Sequence, residues 1–329
     1  MKPRIALLAT GGTIAGAAEA PTAAHYRSAA IPAQELLAAI PKVTELAAVE
    51  CEQFAQVGSQ QMDDALWLRL AARVNALLVA GGVDGVVITH GTDTLEETGY
   101  FLNLVVKSEA PVILTAAMRP ATALSADGPL NLYNAVAVAA HPASRGKGVL
   151  VVVDDEIHSA REIVKTNTTE LDSFSSPNTG RVGIVTYGAA RFFHAPVRAH
   201  TAQAPFRVDG LERLPRVDVL FAHAGMEPDL VDAVVGLGAK GLVIAGVGNG
   251  NVSDRILAAL DRARAHGVVV VRSSRAGSGI VGRNVELDDD AHGFVAADEL
   301  GPAKARVLLK LALNHTTDLA EIQRCFCTY

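Results

Sequence analysis

The chain is short of charge, of aromatic rings and of cysteine. Of its 329 residues, 19% are charged and 5% aromatic, while 50% are hydrophobic. A typical globular domain is about 25% charged, so this surface is either bland or partly covered. With 29 basic against 35 acidic side chains the formal charge is −6, which removes the electrostatic footprint of a nucleic-acid binder. Disorder needs low hydrophobicity with high net charge, and neither holds. No apolar run approaches the roughly 18 residues of a membrane-spanning helix. The three cysteines, Cys51, Cys325 and Cys327, cannot make a disulfide framework. There is no C-x-x-C and no H-E-x-x-H, so a structural zinc is not expected. So few thiols fit a reducing compartment.

What is present is alternation. Ile5–Thr10, Gly85–Thr89, Val112–Ala116, Val149–Val153 and Val182–Thr186 are short runs rich in Val and Ile. Apolar throughout, they suit parallel strands covered on both faces. Lys2 and Arg4 before Ile5 imitate an export signal. The apolar stretch ends at Ala9, however, shorter than the roughly 7–15 residues such a signal needs, so it reads as a strand. Helical spacing marks Asp63–Ala80, Asp93–Lys107 and Pro129–Ala140. Residues 188–216 break the rhythm with Gly188, Pro196, Pro205 and Pro215, and read as a linker or edge excursion. Strands at Val217–Ala222, Leu242–Val247 and Val268–Arg272 follow, with helices at Leu230–Leu237, Ser253–His266, Pro302–Leu313 and Asp318–Phe326. The fold class is α/β, in two α/β domains with mostly parallel sheets. A larger N-terminal domain over 1–190 leads through a linker at 191–215 to a smaller C-terminal domain over 216–329.

Three strand ends stop in glycine followed by hydroxyl, amide or carboxylate side chains, where open α/β sheets bind ligands. The first, Ala9-Thr-Gly-Gly-Thr-Ile-Ala-Gly16, has Ala17-Ala18 where a P-loop needs Lys and Ser/Thr. It also lacks G-x-G-x-x-G, so both nucleotide readings fail. A hydroxyl, Thr13, remains on a glycine-lined turn, with an ordinary tight turn as the plain alternative. The second, Thr89-His-Gly-Thr-Asp-Thr-Leu-Glu-Glu-Thr98, could be a helix cap, with Thr92 or Asp93 as N-cap and Glu96 or Glu97 completing a capping box. A Thr-Asp pair behind a glycine can equally hold an ammonium group and move a proton. The third is Gly246-Val-Gly-Asn-Gly-Asn251, in plain terms a βα turn.

Together with Val57-Gly-Ser-Gln60, Ala117-Met-Arg-Pro120, Asp127-Gly-Pro-Leu-Asn-Leu-Tyr-Asn-Ala135 and Lys165-Thr-Asn-Thr168, these segments resemble the bacterial L-asparaginase family from end to end. The pattern is most similar to the type II branch, which includes the glutaminase-asparaginases. The resemblance implies hydrolysis of L-asparagine to L-aspartate and ammonia, with secondary L-glutaminase activity and no cofactor or metal. It implies Thr13 as nucleophile, with Tyr26 beside it on a mobile lid. Thr92, Asp93 and Lys165 match a second catalytic cluster. A threonine hydroxyl is a weak nucleophile and needs a neighbour to take its proton, which a tyrosine or lysine can do. Ser59, Gln60 and Asp93 match the groups that clasp the substrate's α-carboxylate and α-ammonium. Ala117 matches a position whose backbone carbonyl meets the leaving amide.

Glu286 and Asn251 match residues that the family supplies from a neighbouring subunit. A homotetramer of intimate dimers with shared active sites is therefore implied, and interface cores depleted of charge would explain the composition. Its partners are then a small-molecule substrate and copies of itself, with neither nucleic acid nor membrane. Residues 17–25 depart from the family pattern. The disulfide of some periplasmic relatives also has no counterpart, its positions falling near Leu78 and Ser108. The cytoplasm is the expected location and the periplasm the alternative. Direct attack by water, an ammonia-supplying amidotransferase component and a non-catalytic amino-acid-binding protein stay open as rivals.

Overall fold

The continuous Val- and Ile-rich runs become interior strands. In the computed structural model, which describes residues 2–23 and 25–329, Arg4–Gly11, Gly85–Thr89, Val112–Thr115 and Val149–Val153 lie parallel and side by side. Ala24, within the 17–25 lid stretch, lies outside the described residues. The chain divides into two compact units, Met1–Gly210 and Leu211–Tyr329.

The sheet of the first unit has eight strands. Ala48–Val57 forms one edge, parallel to Arg4–Gly11, and the order continues through Gly85–Thr89, Val112–Thr115 and Val149–Val153. Three antiparallel strands complete it, Glu156–Ser159, Gly183–Thr186 and Ala189–Phe192. The turn at Asp154-Asp155 has positive φ at both residues (49° and 59°), as a tight hairpin of the correct twist requires. Tyr187-Gly188 repeats the device at φ 50° and 77°, so the 188–216 stretch begins as the outermost strand.

Ile5, Leu7, Val87, Ile113, Leu150 and Val152 form one core with the helix Gly128–Ala140. The helix Asp64–Val79 starts at Asp63, whose carboxylate accepts the Leu66 N–H at 2.8 Å. Its Trp67 stacks on Phe101 of the helix Leu95–Val105 with ring centroids 5.2 Å apart, and donates from Nε1 to Thr98 Oγ1 at 2.8 Å. The second unit is simpler. Val217–Phe221, Gly241–Gly246, Val269–Ser274 and Val295–Ala296 pair in that order, all parallel.

Topology positions the site. From Arg4–Gly11 the chain goes to the neighbour on one side, Ala48–Val57, and next to the neighbour on the other, Gly85–Thr89. Where connections leave in opposite directions a crevice opens at the carboxyl ends of the strands. Both threonine motifs follow the two strands that flank that crevice.

Candidate active site

Two glycines bring the motifs together. Gly12 adopts φ 81°, and a Cβ placed on it would lie 2.4 Å from Gly91 Cα. Gly12 cannot carry a side chain without separating the turns, and a Cβ on Gly91 would lie 2.8 Å from Ser59 Cβ. The turns Thr13–Ala15 and Thr92–Thr94 therefore stand close enough to face one cavity. That cavity measures about 280 Å³ and is lined by Thr13, Tyr26, Ser28, Ser59, Gln60, Thr92 and Asp93 with Gly12 and Gly91. A larger hollow of about 840 Å³ around Arg4, Asp84, His141 and Arg145 lies on the other side of the sheet's strands, at their amino ends. It holds neither threonine motif.

Thr13 Oγ1 is 2.8 Å from Tyr26 Oη, and either oxygen can donate. Tyr26 reaches it from a ribbon of two short strands, Ala17–Ala18 and Tyr26–Arg27. Across the cavity, Lys165 Nζ donates to Thr92 Oγ1 at 2.9 Å and to Asp93 Oδ1 at 2.7 Å. Lys165 comes from a second ribbon, Val164–Lys165 with Phe174–Ser175. Its ammonium is mostly covered (17% exposed) while the Asp93 carboxylate is open to solvent at 62%. Ser59 ties its own turn to this cluster. Its Oγ accepts the Asp93 N–H at 3.2 Å, and its carbonyl accepts from Thr94 Oγ1 at 2.8 Å.

The cap alternative fails on geometry. The helix Leu95–Val105 has Thr94 at its N-cap position, not Thr92 or Asp93, and the Thr94 side chain makes no capping bond. Glu96 instead accepts the backbone N–H of Lys165 at 2.9 Å, so it holds the strand that presents the lysine. Beneath the motif, His90 is fully buried and its Nδ1 bonds the Gly91 carbonyl at 2.8 Å. Burial pushes its imidazole down to about 4, against a small upward pull from that carbonyl. The ring is therefore neutral at physiological pH, with Nδ1 as the donor, and it orients Gly91 without adding charge.

Thr13, Tyr26, Ser59, Gln60, Thr92 and Asp93 thus line one space, with Lys165 bonded to two of them. Ala117 is buried beyond the strand Val112–Thr115 and does not line the cavity. Asn251 and Glu286 belong to the second unit, where Asn251 Nδ2 donates to the Glu286 carboxylate. Ser28, Glu96 and His90 went unmarked as site residues. Ser28 has only its nearness to Tyr26 as a sequence signal, and Glu96 is masked by its fit to a capping box. Among the described residues, no group of three or more His, Cys, Asp or Glu side chains could hold a metal ion. No helix among them is long and apolar enough to cross a membrane.

Known proteins match both parts of the chain. The family model described as asparaginase, N-terminal, matches residues 4–198, and that of the glutaminase/asparaginase C-terminal domain matches 216–326. A protein of Haemophilus influenzae named "Probable L-asparaginase periplasmic" is 47% identical over 98% of this chain and 92% of its own. A glutaminase-asparaginase of Pseudomonas fluorescens is 44% identical over 99% of this chain and 90% of its own. A crystal structure of a probable cytoplasmic L-asparaginase from Campylobacter jejuni superposes with a TM-score of 0.97 at 46% identity, covering 100% of both chains.

Proposed function

The chain belongs to the asparaginase family, and on that premise we propose that it hydrolyses L-asparagine to L-aspartate and ammonia, with L-glutamine as a secondary substrate. One observation carries this reading. Two threonine hydroxyls end adjacent parallel strands and face one polar cavity, the first paired with a phenol and the second with a lysine.

The chemistry follows from which atom can donate. An ammonium has no lone pair, so Lys165 donates to Thr92 Oγ1 and the Thr92 proton is free to point into the cavity. Thr13 gives up its proton through Tyr26 Oη, which passes its own phenolic proton to water in the cavity, leaving a lone pair toward the substrate. Thr13 Oγ1 attacks the side-chain amide carbon. The tetrahedral oxyanion is met by hydroxyl and backbone donors of the two turns. Protonation of the amide nitrogen by Thr92, which draws a proton from Lys165 that solvent replaces, expels ammonia and leaves an ester on Thr13. Water then adds to the ester carbon and releases aspartate, returning the proton to Thr13. No cofactor enters these steps.

Ser59 Oγ accepts from Asp93 N–H, so its own proton can bind the substrate α-carboxylate beside Gln60. The exposed face of Asp93 takes the α-ammonium. Asn251 and Glu286 complete this end of the site from a partner subunit in a homotetramer of intimate dimers. The enzyme works in the cytoplasm, in keeping with its small number of cysteines.

Ammonia release from asparagine by the purified protein tests the reaction, and mass spectrometry under single-turnover conditions tests the adduct. We expect ammonia, and an acyl mass on the peptide carrying Thr13. Binding of asparagine without turnover would sink the enzyme reading. Turnover with no adduct would shift the attack from Thr13 to water.

A further inference from the structure

Strand Val269–Ser274 carries Arg272 into the interior of the second unit, where it is 1% exposed. A buried guanidinium needs a counter-charge and an acceptor for each of its five N–H groups. Here every one is met. Nε and Nη2 make a bidentate pair with Asp289, itself 0% exposed, at 2.6 and 2.7 Å. Nη1 donates to the carbonyls of Asn249 and Gly250 at 3.1 and 3.4 Å, and Nη2 also donates to that of Gly282 at 3.2 Å.

These acceptors come from two different loops. Asn249 and Gly250 precede Asn251, whereas Gly282 and Asp289 bracket the loop that carries Glu286. Further bonds cross-link the same pieces. Asn249 Oδ1 accepts the Gly282 N–H at 2.9 Å, and Asp289 Oδ2 accepts the Asn284 N–H at 2.9 Å. Gly250 sits at φ 77°, and a Cβ there would lie 3.1 Å from Arg272 Nη1. Glycine is what allows the loop to close onto the guanidinium. At the outer end of the two loops, Asn251 bonds Glu286.

We infer that the Arg272–Asp289 pair is the positioning device that fixes Asn251 and Glu286 relative to each other for substrate recognition. This inference rests on the proposed role of those two side chains at the substrate's α-amino end. Stability alone is a poor reason for the pair, since apolar residues of similar volume serve a core as well or better. What a planar fork adds is geometry: one side chain sets the spacing of four acceptor residues, which a point-charge lysine cannot do. Arg272 and Asp289 touch no substrate and act through the loops they hold.

The test is a set of KM and kcat measurements on asparagine with the assembled enzyme. Arg272→Lys is expected to raise KM about tenfold or more while kcat stays within about threefold, the pattern of lost uniform binding. A purely structural role would lower the active fraction and leave KM unmoved. Asn249→Ala removes one cross-link without stranding a buried charge, and is expected to raise KM about threefold. It carries the test should Arg272→Lys fail to fold. In an Asn251→Ala/Glu286→Ala background neither substitution has anything left to position, so KM should no longer respond. A wild-type KM in the folded single variants, or an equal rise in both backgrounds, would overturn the inference. If Asn251→Ala/Glu286→Ala by itself leaves KM unchanged, the role of those two side chains fails first, and the positioning role falls with it.

Discussion

Thr13 and Thr92 are the same residue type at equivalent strand ends facing the same cavity, yet their hydroxyls are bonded to different partners. Thr92 accepts from an ammonium and must aim its proton elsewhere; Thr13 shares its bond with a phenol, and either oxygen can donate. The surroundings differ too. Thr92 sits in an ionic cluster with Lys165 and Asp93, whereas the partner of Thr13 is a phenol on a ribbon of two residue pairs. In the mechanism proposed above, partner and not residue type decides which hydroxyl attacks and which donates.

The comparison can be broken at its strongest point first. Thr13→Ala is expected to lower kcat/KM by roughly 10⁴-fold and abolish the acyl adduct, as loss of a nucleophile does. An adduct that survives this change, or that vanishes only in Thr92→Ala, would reverse the two roles. Lys165→Met should cost about 10³-fold in kcat, within the range for general acid–base groups. Combined with Thr92→Val it should cost little more, because residues acting as one unit are not additive. Full additivity in steady-state assays would separate Lys165 from Thr92. Tyr26→Phe removes one phenolic oxygen and should cost about 10²-fold in kcat with a small change in KM. An unchanged kcat would mean that the Thr13 proton leaves by a route other than Tyr26.

The smallest expected effect concerns the support under Thr92. The native His90 imidazole titrates near 4, below its ordinary 6.5. Between those values the unfolded chain takes up a proton that the native chain refuses, so stability falls as pH falls through this window. The deficit at pH 5 is about 2 kcal/mol. Denaturant midpoints of His90→Gln at pH 7 and pH 5 should therefore lie closer together than those of the wild type. An equal gap would mean that the imidazole takes up its proton without difficulty in the folded state.

Much of this was legible from residue order, for a physical reason. Interior parallel strands are apolar on both faces, so Gly85–Thr89 and Val149–Val153 stand out as runs of Val and Ile. Strand ends that bind ligands are punctuated by glycine, which marks Thr13 and Thr92. The edge strand Ala48–Val57 escaped because one neighbour and partial exposure admit Glu50, Glu52, Gln53 and Gln56 among its apolar residues. Glu96 stood at capping distance from Asp93, and only the fold shows that its carboxylate is spent on the backbone of a residue 69 positions away. Arg272 and Asp289 are charged residues in a charge-poor chain, and nothing in their local spacing tells a buried fork from a surface pair.

The ribbon that carries Tyr26 has one more consequence. Its two residue pairs, Ala17 with Arg27 and Ala18 with Tyr26, are joined to the rest by contacts such as Ala18 N–H to Thr122 Oγ1 at 2.8 Å. Short hairpins of this kind open at far lower cost than the sheet beneath them. A protease working on the native enzyme should therefore nick it here first. Activity would then decay while the melting temperature barely moved, and the useful lifetime of the protein would be set by its most easily cut segment, whatever the strength of its core.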